Sequence, residues 1–221
     1  MNKGQLDGLM GEWATCERCP LAQLRNQVVF GHGNPEAKLV MIGEAPGEDE
    51  DNGGLPFVGK AGKIFNWLLK KVGISRDDIW ITNTCLCRPV STVPGKKNRA
   101  PKLDEIKACT PRLVRELEIL KPEIIVLAGN TPLYMATGKR GITKRRGWQD
   151  ITWTGRGFCT DKVFATLHPA SLLYGSKEQK ELKAGWLRSD WREIAGELLG
   201  KEERETSQKQ VQEGNLHRAE N

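Results

Sequence analysis

The sequence predicts an α/β protein: a three-layer α/β/α sandwich around a central, mainly parallel four-stranded sheet. Two observations carry this. Four short apolar runs, at residues 38–43, 78–83, 123–129 and 162–167, are dense in Val, Ile and Leu and read as buried strands. Segments of helical period separate them, and strands alternating with helices form βαβ units, which pair strands in parallel and cover both faces of the sheet.

The helices are read from spacing. Ile64, Trp67, Leu68 and Lys71 share one face, Ile106, Leu113, Leu117 and Leu120 a second, and Trp186, Ile194 and Leu198 a third. Ligands of such sheets bind at the carboxyl ends of the strands. Here polar, turn-forming motifs follow three of the four strand ends. Residues 90–100 form a loop rich in Pro, Gly and Lys, and no internal repeat is visible. From Lys201 the chain turns strongly polar (Lys-Glu-Glu-Arg-Glu-Thr-Ser-Gln-Lys-Gln). Residues 1–200 are therefore expected to form one domain and 201–221 a disordered polar tail.

The 221 residues are 38% hydrophobic and 28% charged, which suits one domain with a sizeable core. No run approaches the length of a membrane span, and residues 1–10 carry no apolar signal segment, so a cytoplasmic protein without a membrane partner is expected. The net charge of +6 permits nucleic-acid binding without proving it.

Six cysteines stand at 16, 19, 85, 87, 109 and 159. In a cytosolic chain a metal or redox role is favoured over disulfides. Cys16-Glu-Arg-Cys19 is a Cys-x-x-Cys pair among polar neighbours, and with two distant thiolates it could hold a 4Fe–4S cluster or a zinc ion. Cys85 and Cys87 compete for one place, because alternate strand positions share a face. Cys159 reads as a small buried hydrophobe.

After the first strand comes Gly43-Glu-Ala-Pro-Gly-Glu-Asp-Glu-Asp51. Its glycines and proline make a tight turn whose backbone N–H groups can face a ligand. The carboxylates suit chemistry or the orientation of water better than a grip on phosphates, although a solvated acidic loop has the same composition. Phe57, between turn residues in Gly54-Leu-Pro-Phe57-Val-Gly-Lys-Ala-Gly62, is either core or a stacking ring.

Gly43-Glu-Ala-Pro-Gly47, Pro56-Phe-Val-Gly59 and Ala61-Gly62 resemble the family 4 uracil-DNA glycosylases. Thr82-Asn83 before Cys87-Arg88-Pro89, Asn98-Arg-Ala-Pro101 before Cys109, and Leu167-His168-Pro169-Ala-Ser-Leu-Leu173 match the same family in order, across roughly residues 5–199. The resemblance implies an enzyme that flips deoxyuridine out of single- or double-stranded DNA. It would hydrolyse the N-glycosidic bond with no lyase step, as a monomer, in base excision repair. It implies a 4Fe–4S cluster on Cys16, Cys19, Cys87 and Cys109, the Cys-Arg-Pro context selecting Cys87 over Cys85.

The resemblance also assigns roles. Asn83 reads the uracil edge, Phe57 stacks on the ring, and the backbone of Gly43 and Glu44 lies against the base. His168 donates to uracil O2, Glu50 holds the attacking water, and Leu172 or Leu173 wedges into the vacated stack. The basic run Lys139-Arg-Gly-Ile-Thr-Lys-Arg-Arg146 becomes a phosphate contact beside such a site. The loop between Cys87 and Cys109 is longer than usual for the family, through residues 91–97. Three alternatives are disfavoured. Covalent uracil-trapping relatives carry Gln where this chain has Ala45, and a His-bearing loop where it has Lys144-Arg-Arg-Gly147. Family 5 enzymes are apolar at the position of Glu44, and a silent binding module would not need Asn83, His168 and Glu50 together.

Overall fold

A computed structural model describes residues 2–91, 98–151, 160 and 162–216, with only the backbone of 201–216. Residues 92–97 of the long loop, and Cys159, lie outside the described residues. In chain order the elements are α1 (Asn2–Trp13), β1 (His32–Gly33), β2 (Leu39–Gly43), α2 (Glu48–Gly53), α3 (Lys60–Lys71) and β3 (Trp80–Asn83). There follow α4 (Leu103–Leu120), β4 (Ile124–Ala128), α5 (Asn130–Thr137), β5 (Gly147–Gln149), β6 (Val163–Thr166) and α6 (Lys177–Leu216). Gly200 interrupts α6 with non-helical angles.

The sheet has six strands, not the four expected, in the order β1-β3-β2-β4-β6-β5. The four apolar runs form its parallel centre, and β1 and β5 add antiparallel edges. These edges have two and three residues and are not fully buried, so they lack the apolar density that marks the central strands.

Every residue of β2 and β4 is buried, and successive side chains enter different cores. Leu39, Met41, Val126 and Phe164 pack with Phe65 and Leu68 of α3 and with Leu187 and Trp191 of α6. Val40, Ile42, Ile125 and Leu127 pack with Leu113 and Leu117 of α4 and Leu6 of α1. Helices thus cover both faces, which is why the central strands are continuously apolar rather than alternating.

Chain direction reverses at the centre: from β2 the chain steps outward to β3, then back across to β4. Such a switch point opens a crevice at the strands' carboxyl ends. Phe65 supports that crevice from below, packing on Phe57 at 5.6 Å and on Trp191 at 5.1 Å between ring centroids. Phe65→Ala is expected to lower unfolding free energy by about 3–5 kcal/mol. Urea unfolding should show a lower midpoint at unchanged slope.

Candidate active site and cysteine hollow

A cleft of about 540 Å³ opens where the chain reverses, within the size range of small-ligand sites. Glu44, Glu50, Phe57, Asn83, His168 and Leu173 all line it. Gly43 lies against two of the lining side chains: a Cβ there would be 2.3 Å from Asn83 Oδ1 and 2.7 Å from the Phe57 ring. Gly43 pairs with Asn83 across the parallel ladder. The ladder continues past both strands, as Thr84 N–H and Oγ1 donate to the Gly43 carbonyl (both 2.9 Å) and Cys85 N–H to that of Glu44 (3.1 Å). Asn83 is only 2% exposed, and its Oδ1 has no hydrogen-bond partner. A buried acceptor without a partner costs about 1–3 kcal/mol, so this oxygen stands without the donor it needs.

Phe57 is buried with φ +54, a left-handed conformation unfavourable for a bulky residue. Two features hold it. Arg76 donates to the carbonyls of Pro56 (2.6 Å) and Phe57 (3.1 Å), and Gly62 lets the Phe57 carbonyl approach where any Cβ would clash at 1.9 Å. The Phe57 ring lies nearly parallel to His168, with centroids 5.4 Å apart.

His168 begins a 3-10 turn, Pro169–Leu173, and its Nδ1 accepts the Ala170 N–H at 3.1 Å. Burial pushes its pKa down to about 4. With Nδ1 an acceptor, the neutral ring carries its proton on Nε2, free to donate. Leu172 and Leu173 separate: Leu172 packs against the core, whereas Leu173 lines the cleft beside the exposed Tyr174.

The acidic run is not a loop: Glu48–Gly53 is a helix whose first turn is acidic, where carboxylates offset the helix dipole. Two of its members brace the backbone. Glu50 accepts from the N–H groups of Gly47 (3.0 Å), Val58 (3.0 Å) and Gly59 (2.8 Å), tying together the two loops that frame the cleft. Asp51 accepts from Asn26 N–H at 3.0 Å. Glu50 therefore has little acceptor capacity left for water, while the neighbouring Asp49 carboxylate makes no hydrogen bond among the described residues.

Sequence reasoning attached no motif to the end of β4. There Gly129-Asn-Thr-Pro132 starts α5, and Thr131 Oγ1 donates to the Glu44 carboxylate. The signal was a Gly-initiated helix at the fourth strand end. Arg146, expected on phosphate, instead grips Asp190 through two hydrogen bonds (2.9 and 2.7 Å), and Asp190 also accepts from Thr166 Oγ1. Lys139, Lys144 and Arg145 of the same run remain exposed.

Behind the β3 exit lies a second, smaller hollow. Cys16, Cys19, Cys85, Cys87 and Cys109 all line it, so the four expected ligands and their competitor meet. Arg25 Nη1 approaches Cys87 Sγ at 3.4 Å, and Arg112 Nη2 approaches Cys109 Sγ at 3.9 Å. Burial raises the thiol of Cys19, and that of Cys87 to about 11 against the opposing pull of Arg25. The hydrogen bond from Cys85, with Arg112, holds Cys109 below the usual thiol range. Among the described residues, no three such side chains stand close enough together to hold one ion as placed. The donor set fits a thiolate-ligated metal group; the side chains would have to turn inward to bind it.

Residues 30–190 match the model of the Uracil DNA glycosylase superfamily. The chain is 40% identical over 187 residues to the type-4 uracil-DNA glycosylase of Sulfurisphaera tokodaii, covering 80% of each chain. It is 39% identical over 202 residues to the type-4 enzyme of Saccharolobus solfataricus (89% of this chain, 88% of the relative). With that of Thermotoga maritima it shares 42% over 160 residues (72% and 78%). The chain belongs to the type-4 uracil-DNA glycosylases.

The neutral His168 gives a direct test. Its ring resonances, followed by NMR from about pH 8 to 5, should not titrate, because the ring ionises near pH 4 rather than near 6.5. A midpoint between about 6 and 7 would show that the ring is not buried as described.

Proposed function

We propose that this chain is a monofunctional uracil-DNA glycosylase that hydrolyses the N-glycosidic bond of flipped-out deoxyuridine, leaving an abasic site for base excision repair. The observation that carries the reading is the buried Asn83, whose side-chain Oδ1 has no hydrogen-bond partner, in the wall of a cleft lined by Phe57 and His168. Uracil offers an N3–H donor and an O4 acceptor. Asn83 accepts from the first with Oδ1 and donates to the second with Nδ2. Phe57 stacks on the ring, while Gly43 and Glu44 lie along its edge without a side chain in the way at position 43.

As the bond breaks, negative charge collects on the base and the sugar becomes oxocarbenium-like. His168 Nε2–H donates to O2 where that charge builds, and one such donor is worth about 100- to 1,000-fold in rate. A neutral donor is not lost by deprotonation anywhere near physiological pH. The water is held at the acidic wall by the one acceptor site left on Glu50 or by the Asp49 carboxylate beside it. Leu173 fills the vacated stack, and Leu172 braces it from the core. The partner is uracil-bearing DNA in either strand state, met by a monomer. The catalytic domain spans residues 1–200, ending at the Gly200 break in α6. Among the described residues no helix is long and apolar enough to cross a membrane, and free thiols suit a reducing cytoplasm.

Cys16, Cys19, Cys87 and Cys109 are the ligands of a 4Fe–4S cluster. Bound there, the group supplies a structural clamp. The four cysteines join the segment after α1, the β3 exit and α4, three pieces that share no strand pairing. Anaerobically prepared protein should be brown, absorb near 400 nm and carry about four irons per chain. Zinc without iron would overturn the assignment.

Incubation with a uracil-bearing oligonucleotide followed by alkaline cleavage tests the activity. Asn83→Asp tests the base reading. A carboxylate cannot donate to O4, so uracil excision should fall at least 10-fold. The variant should also gain detectable cytosine excision, because Asp accepts from the cytosine amino group and, protonated, donates to its N3. Parent-rate uracil excision by this variant would move the base-reading role to another residue.

A further inference from the structure

We propose that Arg112 is a positioning residue for base recognition: it fixes the carboxyl end of β3, and with it Asn83, against the helix that carries Cys109. The inference rests on the glycosylase reading of the cleft. Arg112 is 1% exposed and is not among the residues that line the cleft. Its Nη1 donates to Thr82 Oγ1 (3.1 Å) and to the Glu116 carboxylate. Its Nη2 donates to the backbone carbonyls of Asn83 (2.7 Å) and Thr84 (3.3 Å), and lies 3.9 Å from Cys109 Sγ. Glu116 completes the grip, accepting from Trp80 Nε1 and Thr82 Oγ1, both at 3.0 Å. One buried ion pair therefore holds Trp80, Thr82, Asn83 and Thr84.

The Asn83 side-chain oxygen makes no hydrogen bond of its own, so its aim is inherited from this backbone. Arg112 and Cys109 stand three residues apart on α4, on one face of the helix. The guanidinium is thus a rigid fork between the cysteine hollow and the base-reading strand end. A lysine would keep the charge opposite Glu116, but its single nitrogen cannot span Thr82, Asn83 and Cys109 together.

The test uses Arg112→Lys in the protein carrying its cysteine-bound group. Four readings are compared with the parent: thermal midpoint, visible absorption, affinity for uracil-bearing DNA, and single-turnover excision of uracil and of cytosine. The expected result is near-parent absorption and DNA affinity, with uracil excision down about 10- to 100-fold, as a misplacement near 1 Å can produce. The ratio of uracil to cytosine excision should fall as well. If the lysine variant does not fold, Arg112→Met with Glu116→Gln neutralises both buried charges, keeps an acceptor for Trp80, and is read in the same way. Parent rate and discrimination in a folded variant would overturn the proposal. So would losses of stability, DNA affinity and rate in parallel, which indicate a merely structural role. Loss of visible absorption along with activity overturns it too, since Arg112 would then act by retaining the group. A parent protein that releases no uracil defeats the glycosylase reading instead.

Discussion

The parallel pairing of β2 with β3 is the contact on which the cleft depends. It sets Gly43 beside Asn83, and the ladder continues past both strands through Thr84 and Cys85. Because side chains alternate along a strand, a one-residue slip would turn Asn83 away from the cleft and place Thr82 or Thr84 there. Register is protected from both faces. Met41 and Ile81 are locked in one core, Val40, Ile42 and Trp80 in the other. The Arg112–Glu116 pair then holds the β3 end from behind. In the proposed reading of Asn83, an amide that must distinguish donor from acceptor along a base edge needs this stiffness, since a rotated or displaced amide would accept the wrong pattern equally well.

The cleft has an uncharged wall and an acidic wall, with Lys60 and Arg99 also in its lining. Phe57, Asn83 and His168 carry no charge near neutral pH, His168 because its burial disfavours the imidazolium. A cationic histidine would bind a departing anion more strongly, but it would need its own desolvation offset and would lose the Nδ1 acceptor that the Ala170 N–H uses. The acidic wall is organised by a helix N-terminus. Glu50 and Asp51 are anchored to backbone N–H groups, so their charges are held in place rather than repelled apart.

Much of this was legible in the sequence, for identifiable reasons. The four central strands are buried on both faces and therefore appear as dense apolar runs, and α4 buries the stripe its spacing predicts; on α3 the buried stripe is Phe65, Leu68 and Leu69, while Trp67 and Lys71 of the expected face are exposed. What escaped notice lacked such a pattern. Helix α1 carries Gly4, Gly8 and Gly11, each costing about 1 kcal/mol of helix propensity, and it persists because Leu6, Leu9 and Trp13 are buried. The edge strands are too short for any periodicity. The acidic run has the composition of a solvated loop, which cannot reveal that its carboxylates sit in a helix and brace two turns. Arg112 could not be singled out either: an arginine in an amphipathic helix normally faces water, and only the fold shows that this one is sealed beneath the sheet end. Leu172 and Leu173, one position apart, were separable only once the 3-10 turn fixed their directions.

The cleft and the cysteine hollow share a wall. Arg99 lines the first and Glu105 the second, and the two are joined by paired hydrogen bonds of 2.8 and 2.6 Å. Glu105 also accepts the Lys102 N–H at 2.7 Å, closing the start of α4. Helix α4 therefore meets the catalytic side at two levels, through Arg99–Glu105 at its first turn and through Arg112–Glu116 two turns on. A clamp on Cys109 would fix that helix between them, along the line where the Asn83 backbone is held. In the proposed reading the hollow would supply rigidity rather than reactivity, stiffening a helix whose position sets the aim of one amide.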